Sequence, residues 1–188
     1  MDRKVAQRAP ADDVELSAAV GAAQQGDEAA FRCVYQDLQP RLLRYLRALV
    51  GEDAEDIASE AWLHIVKDLP SFRGTYDGFR GWATTIARNR ALDHVRMRQR
   101  RPRADTQLEE LAGMASDEDT ALSALDGLGT ERALGLIMRL PRDQAEAVLL
   151  RVVIGLDAKT AGLVLGKRAG AVRTAAYRGL KKLAGELQ

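Results

Sequence analysis

Phe79-Arg80-Gly81-Trp82-Ala83-Thr84-Thr85-Ile86-Ala87 runs without a break into Arg88-Asn89-Arg90-Ala91-Leu92-Asp93-His94-Val95-Arg96-Met97-Arg98-Gln99-Arg100-Arg101. In the first half, apolar residues at 79, 82, 83, 86 and 87 follow one stripe of a 3.6-residue period, as in a helix lying on a core. The second half keeps the helix but changes its surface. Residues 88–103 hold seven arginines against one acid, in a chain of 188 residues whose formal net charge is only +1. A merely solvated helix face interleaves Glu with Lys, whereas stacked arginine on a balanced protein is the electrostatic footprint of a polyanion partner. The stretch therefore reads as a packed helix whose far end meets nucleic acid.

The rest of the chain supports an all-α fold. Ala and Leu dominate, Pro is rare, and apolar spacings are mostly three and four, so no strand stands out. A content of 46% hydrophobic and 29% charged residues is that of a folded globular protein rather than a disordered one. No run approaches 18 consecutive apolar residues, and Met1-Asp2-Arg3-Lys4 is not followed by an apolar leader core. The expectation is a cytoplasmic protein without membrane insertion. Cys33 stands alone, so neither a disulfide framework nor a thiolate zinc site is expected.

Charge divides the chain into zones. After the basic run, residues 104–131 contain eight acids and no Lys or Arg, and residues 139–188 then hold ten basic residues against four acidic ones. The pattern predicts a disordered tail over 1–12, a first helical unit over 13–100, an acidic linker over 101–130 and a second unit over 131–188. In the first unit the periodicity predicts helices over 13–25, 27–38, 41–50 and 54–69, with Pro40 dividing the second from the third. A loop over 71–78 leads into the helix of Trp82.

The second unit has sharper punctuation. Pro141 opens a helix that breaks at Gly155, Asp157 is placed to cap a short helix over 158–165, and another helix runs from about Gly170 to Leu187. Two helices joined by a tight Gly-containing turn, the second of them basic, form a helix-turn-helix. Close packing of such a pair needs a small residue in the first helix and a turn former four positions on, which Gly162 and Gly166 supply. Val172, Ala176, Leu180 and Leu183 are expected to face inward. Lys167, Arg168, Arg173, Thr174, Tyr177, Arg178 and Lys181 are expected to form the outward, DNA-binding face.

Taken in order, the segments resemble the extracytoplasmic-function class of bacterial RNA polymerase sigma factors. Gly26-Asp27-Glu28-Ala29-Ala30-Phe31, Arg41-Leu42-Leu43-Arg44-Tyr45-Leu46, Ala54-Glu55-Asp56-Ile57 and Phe79-Arg80-Gly81-Trp82 are similar to that family's region two. Leu140-Pro141, Leu149-Leu150-Arg151, Gly155-Leu156, Leu165-Gly166 and Gly170-Ala171-Val172-Arg173 resemble region four. The resemblance implies a transcription initiation factor that directs core polymerase to specific promoters. It implies docking on the clamp helices of the polymerase large subunit through Asp56, Ile57, Glu60 and Trp62, and contact with the flap of the other large subunit. Arg88, Asn89, Asp93 and Arg96 would touch the −10 element, with Arg98, Arg100 and Arg101 on its backbone, and the second unit would read the −35 element. The acidic linker would thread a basic polymerase channel, and an anti-sigma factor becomes a partner to look for.

Other classes are weighed by their chemistry. No Ser/His/Asp or Cys/His set supports catalysis, so the chain is not expected to be an enzyme. His64 has no second ligand at metal spacing, and neither cofactor nor metal is expected. Gly127-Leu128-Gly129 lacks the third glycine of a dinucleotide loop, and Leu165-Gly166-Lys167 lacks the upstream glycine of a P-loop. A one-component regulator, using the helix-turn-helix for DNA and the first unit to sense or dimerise, remains the alternative on the residues alone.

Overall fold

A computed structural model of the chain describes residues 10–100 and 121–186, and every regular element among them is helical. The first unit consists of α1 (Pro10–Gln24), α2 (Glu28–Val50), α3 (Ala54–Asp68) and α4 (Tyr76–Arg100). The second consists of α5 (Ala121–Met138), α6 (Arg142–Val148), α7 (Ala158–Leu165) and α8 (Ala169–Glu186). Helix α1 begins at Pro10, inside the span expected to be a tail, and α5 takes in residues 121–130, which composition had placed in the linker. Residues 101–120 of the expected acidic linker lie outside the described residues.

Sequence reading divided α2 at Pro40; the structure does not. Proline removes one intrahelical hydrogen bond and costs about 3 kcal/mol in a helix interior. Pro40 itself is exposed, while Leu38, Leu42, Tyr45 and Leu46 on the same helix are fully buried. Each such side chain contributes roughly 1.5–3 kcal/mol when buried, so the continuous apolar stripe outweighs the proline. The entry is set by Asp27, whose carboxylate accepts from the Ala30 amide at 3.0 Å, and the exit by Gly51 at φ +65°.

Helix α4 starts three residues earlier than its apolar stripe suggested. Tyr76 is fully buried, its amide donates to Ser17 Oγ of α1 at 2.9 Å, and its hydroxyl donates to Asp37 of α2. Phe79, Ala83, Ala87 and Ala91 pack on α2 and α3, and Phe72, Phe79 and Trp82 form a ring cluster with centroids 5.2–5.7 Å apart.

In the second unit, Pro141 precedes α6, which continues into one wide π turn over Leu149–Ile154 before Gly155 reverses the chain at φ +83°. Helix α7 is capped by Asp157, which accepts from the Thr160 amide at 2.6 Å. The turn to α8 bears out the Gly162/Gly166 reading. Gly166 takes φ +65°, the Lys167 amide donates to the Gly162 carbonyl at 2.8 Å, and a Cβ on Gly162 would stand 2.5 Å from the Lys167 carbonyl oxygen.

One expectation for α8 fails. Leu180 is exposed, and Gly179 is buried in the inward position, against Val148, Leu140 and Gln144. The inward series is Val172, Ala176, Gly179 and Leu183, a four-three-four spacing that brings the helix close to α6 where no side chain intervenes. The two units share one buried cluster. Helices α2 and α4 pack against the π turn and α7, so α4 is covered on two sides.

Candidate nucleic-acid interface

Two helices present cationic residues to solvent, and they do so differently. On α8, the short turn leaves Lys167 and Arg168 exposed ahead of the helix, with Arg173, Thr174, Tyr177, Arg178 and Lys181 exposed along it. The whole predicted face is thus outward, while Val172 and Ala176 hold the helix on the unit's core. Tyr177 is 67% exposed, an aromatic ring with no burial to explain it.

On α4 the predicted residues separate. Asn89, Asp93, Arg96, Arg98 and Arg100 are exposed along the last three turns, and Arg101 lies outside the described residues. Arg96 donates to Asp93 at 3.1 Å, an exposed pair that water and salt screen easily. Asp53, at the turn between α2 and α3, accepts from His94 Nε2 at 2.9 Å and from Arg98 at 2.6 Å. The hydrogen bond from His94, helped by the Arg98 charge, holds the Asp53 carboxyl below the usual carboxylate range. These groups line an open cleft of about 700 Å³ with Leu49, Val50, Val95 and Gln99, at the base of the basic ridge. Sequence reading counted Asp53 with the acids around the start of α3; its contacts with His94 and Arg98, 41 and 45 positions away, carry no local signal.

Arg88 is the exception. Its side chain is 17% exposed and donates to Glu146 of α6 at 3.0 Å, and Glu146 is 11% exposed. Beside the pair lies the fully buried Tyr45 hydroxyl, without a partner of good hydrogen-bond geometry. Burial pushes the Tyr45 pKa well above the ordinary phenol value, with the Arg88 charge opposing and the Glu146 charge adding. Two turns earlier on α4, Arg80 is buried, donates to Asp77 at 2.7 Å and lies over the Tyr76 ring at 5.3 Å. Sequence reading placed Arg80 within an apolar stretch and gave it no role.

The acidic face on α3 is also split. Asp56 and Glu60 are exposed, flanked by exposed Glu52 and Glu55, and Glu55 accepts from Arg47 at 3.2 Å. Ile57 and Trp62, read with them as docking residues, are 4% and 7% exposed and belong to the core beneath that face. Trp62 donates from its ring nitrogen to Gln39 at 2.6 Å and packs on Phe31 and Tyr35. The exposed apolar residues of α3 are instead Leu63 and Val66. Among the described residues no group of His, Cys, Asp and Glu is placed to hold a metal ion, and no helix is long and apolar enough to cross a membrane.

Comparison with known proteins assigns both units to families. Residues 34–101 match the family model for Sigma-70 region 2, and residues 130–183 match that for Sigma-70, region 4. The chain is 34% identical over 182 residues to the ECF RNA polymerase sigma factor BldN of Streptomyces coelicolor, covering 94% of this chain and 67% of that one. It is 34% identical over 180 residues to the ECF RNA polymerase sigma factor SigD of Mycobacterium tuberculosis, covering 92% and 84%. In fold it is similar to CnrH in its complex with the cytosolic domain of CnrY, with TM-score 0.64 at 21% identity, over 92% of this chain and 97% of that one. It is also similar to the sigma factor RpoE of Bartonella quintana in complex with the anti-sigma factor NepR, with TM-score 0.60 at 21% identity, over 84% and 96%.

Proposed function

The chain belongs to the extracytoplasmic-function class of RNA polymerase sigma factors, and from that premise we propose how its own residues divide the work of starting transcription. It is a sigma subunit, and its partners are core RNA polymerase and promoter DNA. The observation that carries the division is the separation of exposed arginine onto two helices, α4 in the part matching region 2 and α8 in the part matching region 4.

Helix α8 reads duplex. The outward side of its N-terminal turns is exposed, the geometry in which a recognition helix enters the major groove, and Arg173 lies where a guanidinium reaches a base edge. Tyr177, Arg178 and Lys181 lie further along and hold the backbone. Helix α4 takes the −10 element. Arg88, Asn89, Asp93 and Arg96 meet the opened strand, and Arg98, Arg100 and Arg101 neutralise its phosphates. Asp53 steadies the base of this ridge by holding His94 and Arg98.

Docking on the polymerase clamp uses the exposed part of α3. Asp56 and Glu60 supply charge for a basic stretch of the clamp helices, and Leu63, 73% exposed, supplies apolar contact that a solvated helix has no use for. Ile57 and Trp62 act through the core, by fixing where α3 lies. The second unit meets the flap, the acidic linker runs in a basic channel of the enzyme, and the work is done in the cytoplasm. An anti-sigma factor is a further partner, as for the sigma factor RpoE of similar fold.

The experiment is reconstitution with core polymerase on a promoter library. The free protein is expected to bind duplex weakly, because each unit alone makes few phosphate contacts, and the holoenzyme is expected to select and open a subset of promoters. Tight, sequence-specific binding of the free protein as a symmetric dimer, with no effect on polymerase, would instead favour a one-component regulator.

A further inference from the structure

The connection between α3 and α4 is held by a third helix, α1. A short 3-10 turn, Leu69–Ser71, leads through residues 72–75 into α4. Gln24, the last residue of α1, donates from its side-chain nitrogen to two backbone carbonyls there, Leu69 at 3.0 Å and Phe72 at 2.7 Å. Both partners can only accept, so the carboxamide faces them with its nitrogen and both of its protons are used. Earlier on α1, Ser17 donates its hydroxyl proton to the Asp13 carbonyl at 2.7 Å and accepts from the Tyr76 amide at 2.9 Å. The first amides of a helix have no partner within it, so α1 caps the start of α4. The apolar attachment of α1 lies elsewhere, in the buried Leu16 and Val20, while Ser17 and Gln24 are half-buried. Arg73 also donates to the Pro70 and Phe72 carbonyls, but from the turn itself, so it stiffens the turn without tying it to another element.

What α1 fixes is one end of a continuous side of α4. Arg73, Gly74 and Thr75 are exposed, and Phe72 beneath them packs on Phe79 and Trp82. Gly74, at φ +148°, lies against the Phe72 ring, where a Cβ would stand 3.1 Å from Cζ. From there Gly78, Trp82, Ile86, Asn89, Asp93 and Arg96 recur at steps of three and four, the first three half-buried and the last three exposed. This side differs from the one at Gly81 and Arg88 that meets the second unit. From Tyr76 to Arg96 the helix rises about 30 Å, room for several nucleotides of an extended strand.

We propose that Gln24 and Ser17 are positioning residues for capture of the −10 strand: by pinning the turn and the first turn of α4 they set the register at that end of the face. This rests on the reading of α4 as the −10 helix. Neither side chain touches the strand. At one end the strand is aligned by Asn89, Asp93 and Arg96, whose places the helix itself fixes. At the other it is aligned by a turn whose place depends on α1. Without the Gln24 donor the turn gains conformations, and alignment is lost at that end alone.

The test is made in the holoenzyme, on a promoter with a fluorescent base analogue in the −10 element and on its single-base −10 variants. Gln24→Met keeps the length of the side chain and removes the donor, and Ser17→Ala removes the acceptor. Both are expected to capture core and bind duplex as the parent does. Both should open bound promoters roughly threefold to tenfold more slowly, the range of one ordinary hydrogen bond expressed in the transition state. Discrimination should flatten at one end of the −10 element and persist at the other. Circular dichroism checks that the helices are kept, and Gln24→Met decides if the two variants differ. A lower melting temperature with unchanged opening and discrimination would make Gln24 merely structural and overturn the proposal, as would an equal loss of discrimination at every position. Arg96→Ala tests the underlying reading separately: if it leaves opening and −10 discrimination unaltered, α4 is not the −10 helix, whatever Gln24→Met does. A loss with Arg96→Ala and none with Gln24→Met removes only the role of α1.

Discussion

Helices α4 and α8 both expose arginine, but only α8 carries it on a side that nothing else touches. Its cationic residues from Lys167 to Lys181 are all exposed, whereas α4 has Arg80 and Arg88 packed under the second unit and only its final turns open. The difference follows from what holds each helix. Helix α8 needs one contact face, with glycine at 179 allowing close approach to α6. Helix α4 is a central element, packed by α1, α2 and α3 on one side and by α7 on the other. On α4 the cationic surface is open only along the last three turns, and Arg88 is held by Glu146 of the second unit. One helix is ready and the other is partly covered.

The sharpest way to break that comparison is to remove polymerase from it. Charge reversal at both Asp56 and Glu60, Asp56→Lys with Glu60→Lys, should abolish capture of core enzyme while the helical circular dichroism signal stays unchanged, because both side chains are exposed. Without core, neither helix selects a promoter. Normal capture would move the docking surface away from α3.

Next in size are changes on the ready helix. In the holoenzyme Arg173→Ala should cost about 1–3 kcal/mol on the preferred −35 element and flatten discrimination at one position. Lys181→Ala should weaken all sequences about equally and lower the salt slope by about one. Binding to single-base −35 variants at several salt concentrations separates the two. An equal loss on every variant from Arg173→Ala would make it a backbone contact.

The two glycines of close contact sharpen the comparison further. Gly162→Ala places a Cβ 2.5 Å from a backbone oxygen within the second unit, and overpacking of that kind costs about 1–3 kcal/mol. Gly81→Ala meets only a Thr160 methyl, a side chain rather than backbone, and the gain in helix propensity of up to about 1 kcal/mol offsets part of that clash. Thermal melting should therefore fall further for the first than for the second.

What was legible follows the same division. The boundaries of α3, α7 and α8, the tight turn at Gly166 and the outward face of α8 were readable, because each is fixed by periodicity or by turn chemistry within a few residues. Helix α2 was misread because Pro40 is a strong local signal against continuity, and only the burial of Leu38, Leu42 and Tyr45 together overrules it. Leu180 was misplaced because a four-residue spacing was continued where the helix steps by three. The contacts of Glu146 with Arg88 and of Thr160 with Gly81 join residues 58 and 79 positions apart, and no local pattern announces them. Ile57 and Trp62 were grouped with the docking residues because the resemblance marks the helix as a docking element without saying which side is outward.

The smallest expected effect concerns the cap of α7. Asp157→Ala removes the acceptor for the Thr160 amide and should destabilise the second unit by about 1 kcal/mol near neutral pH. That backbone hydrogen bond holds the Asp157 carboxyl below its ordinary range. A depressed folded-state pKa gives stability that is full above the ordinary carboxylate value, about 4, and is lost as pH falls through the folded value. The gap between parent and variant in melting experiments should thus close in acid. A gap that widened in acid would mean that Asp157 acts otherwise than as a charged cap.

The most direct measurement of the central claim separates binding from opening in the holoenzyme. On one selected promoter, duplex binding and the rate of strand opening, followed by a fluorescent base analogue in the −10 element, are compared for Arg88→Ala and Arg173→Ala. With α8 as the duplex reader and α4 as the strand-capturing helix, Arg173→Ala should weaken duplex binding and leave the opening rate of bound complexes intact. Arg88→Ala should bind duplex nearly normally and open it slowly. The reverse pattern, or the same loss in both steps from both variants, would contradict the division of labour between the two helices.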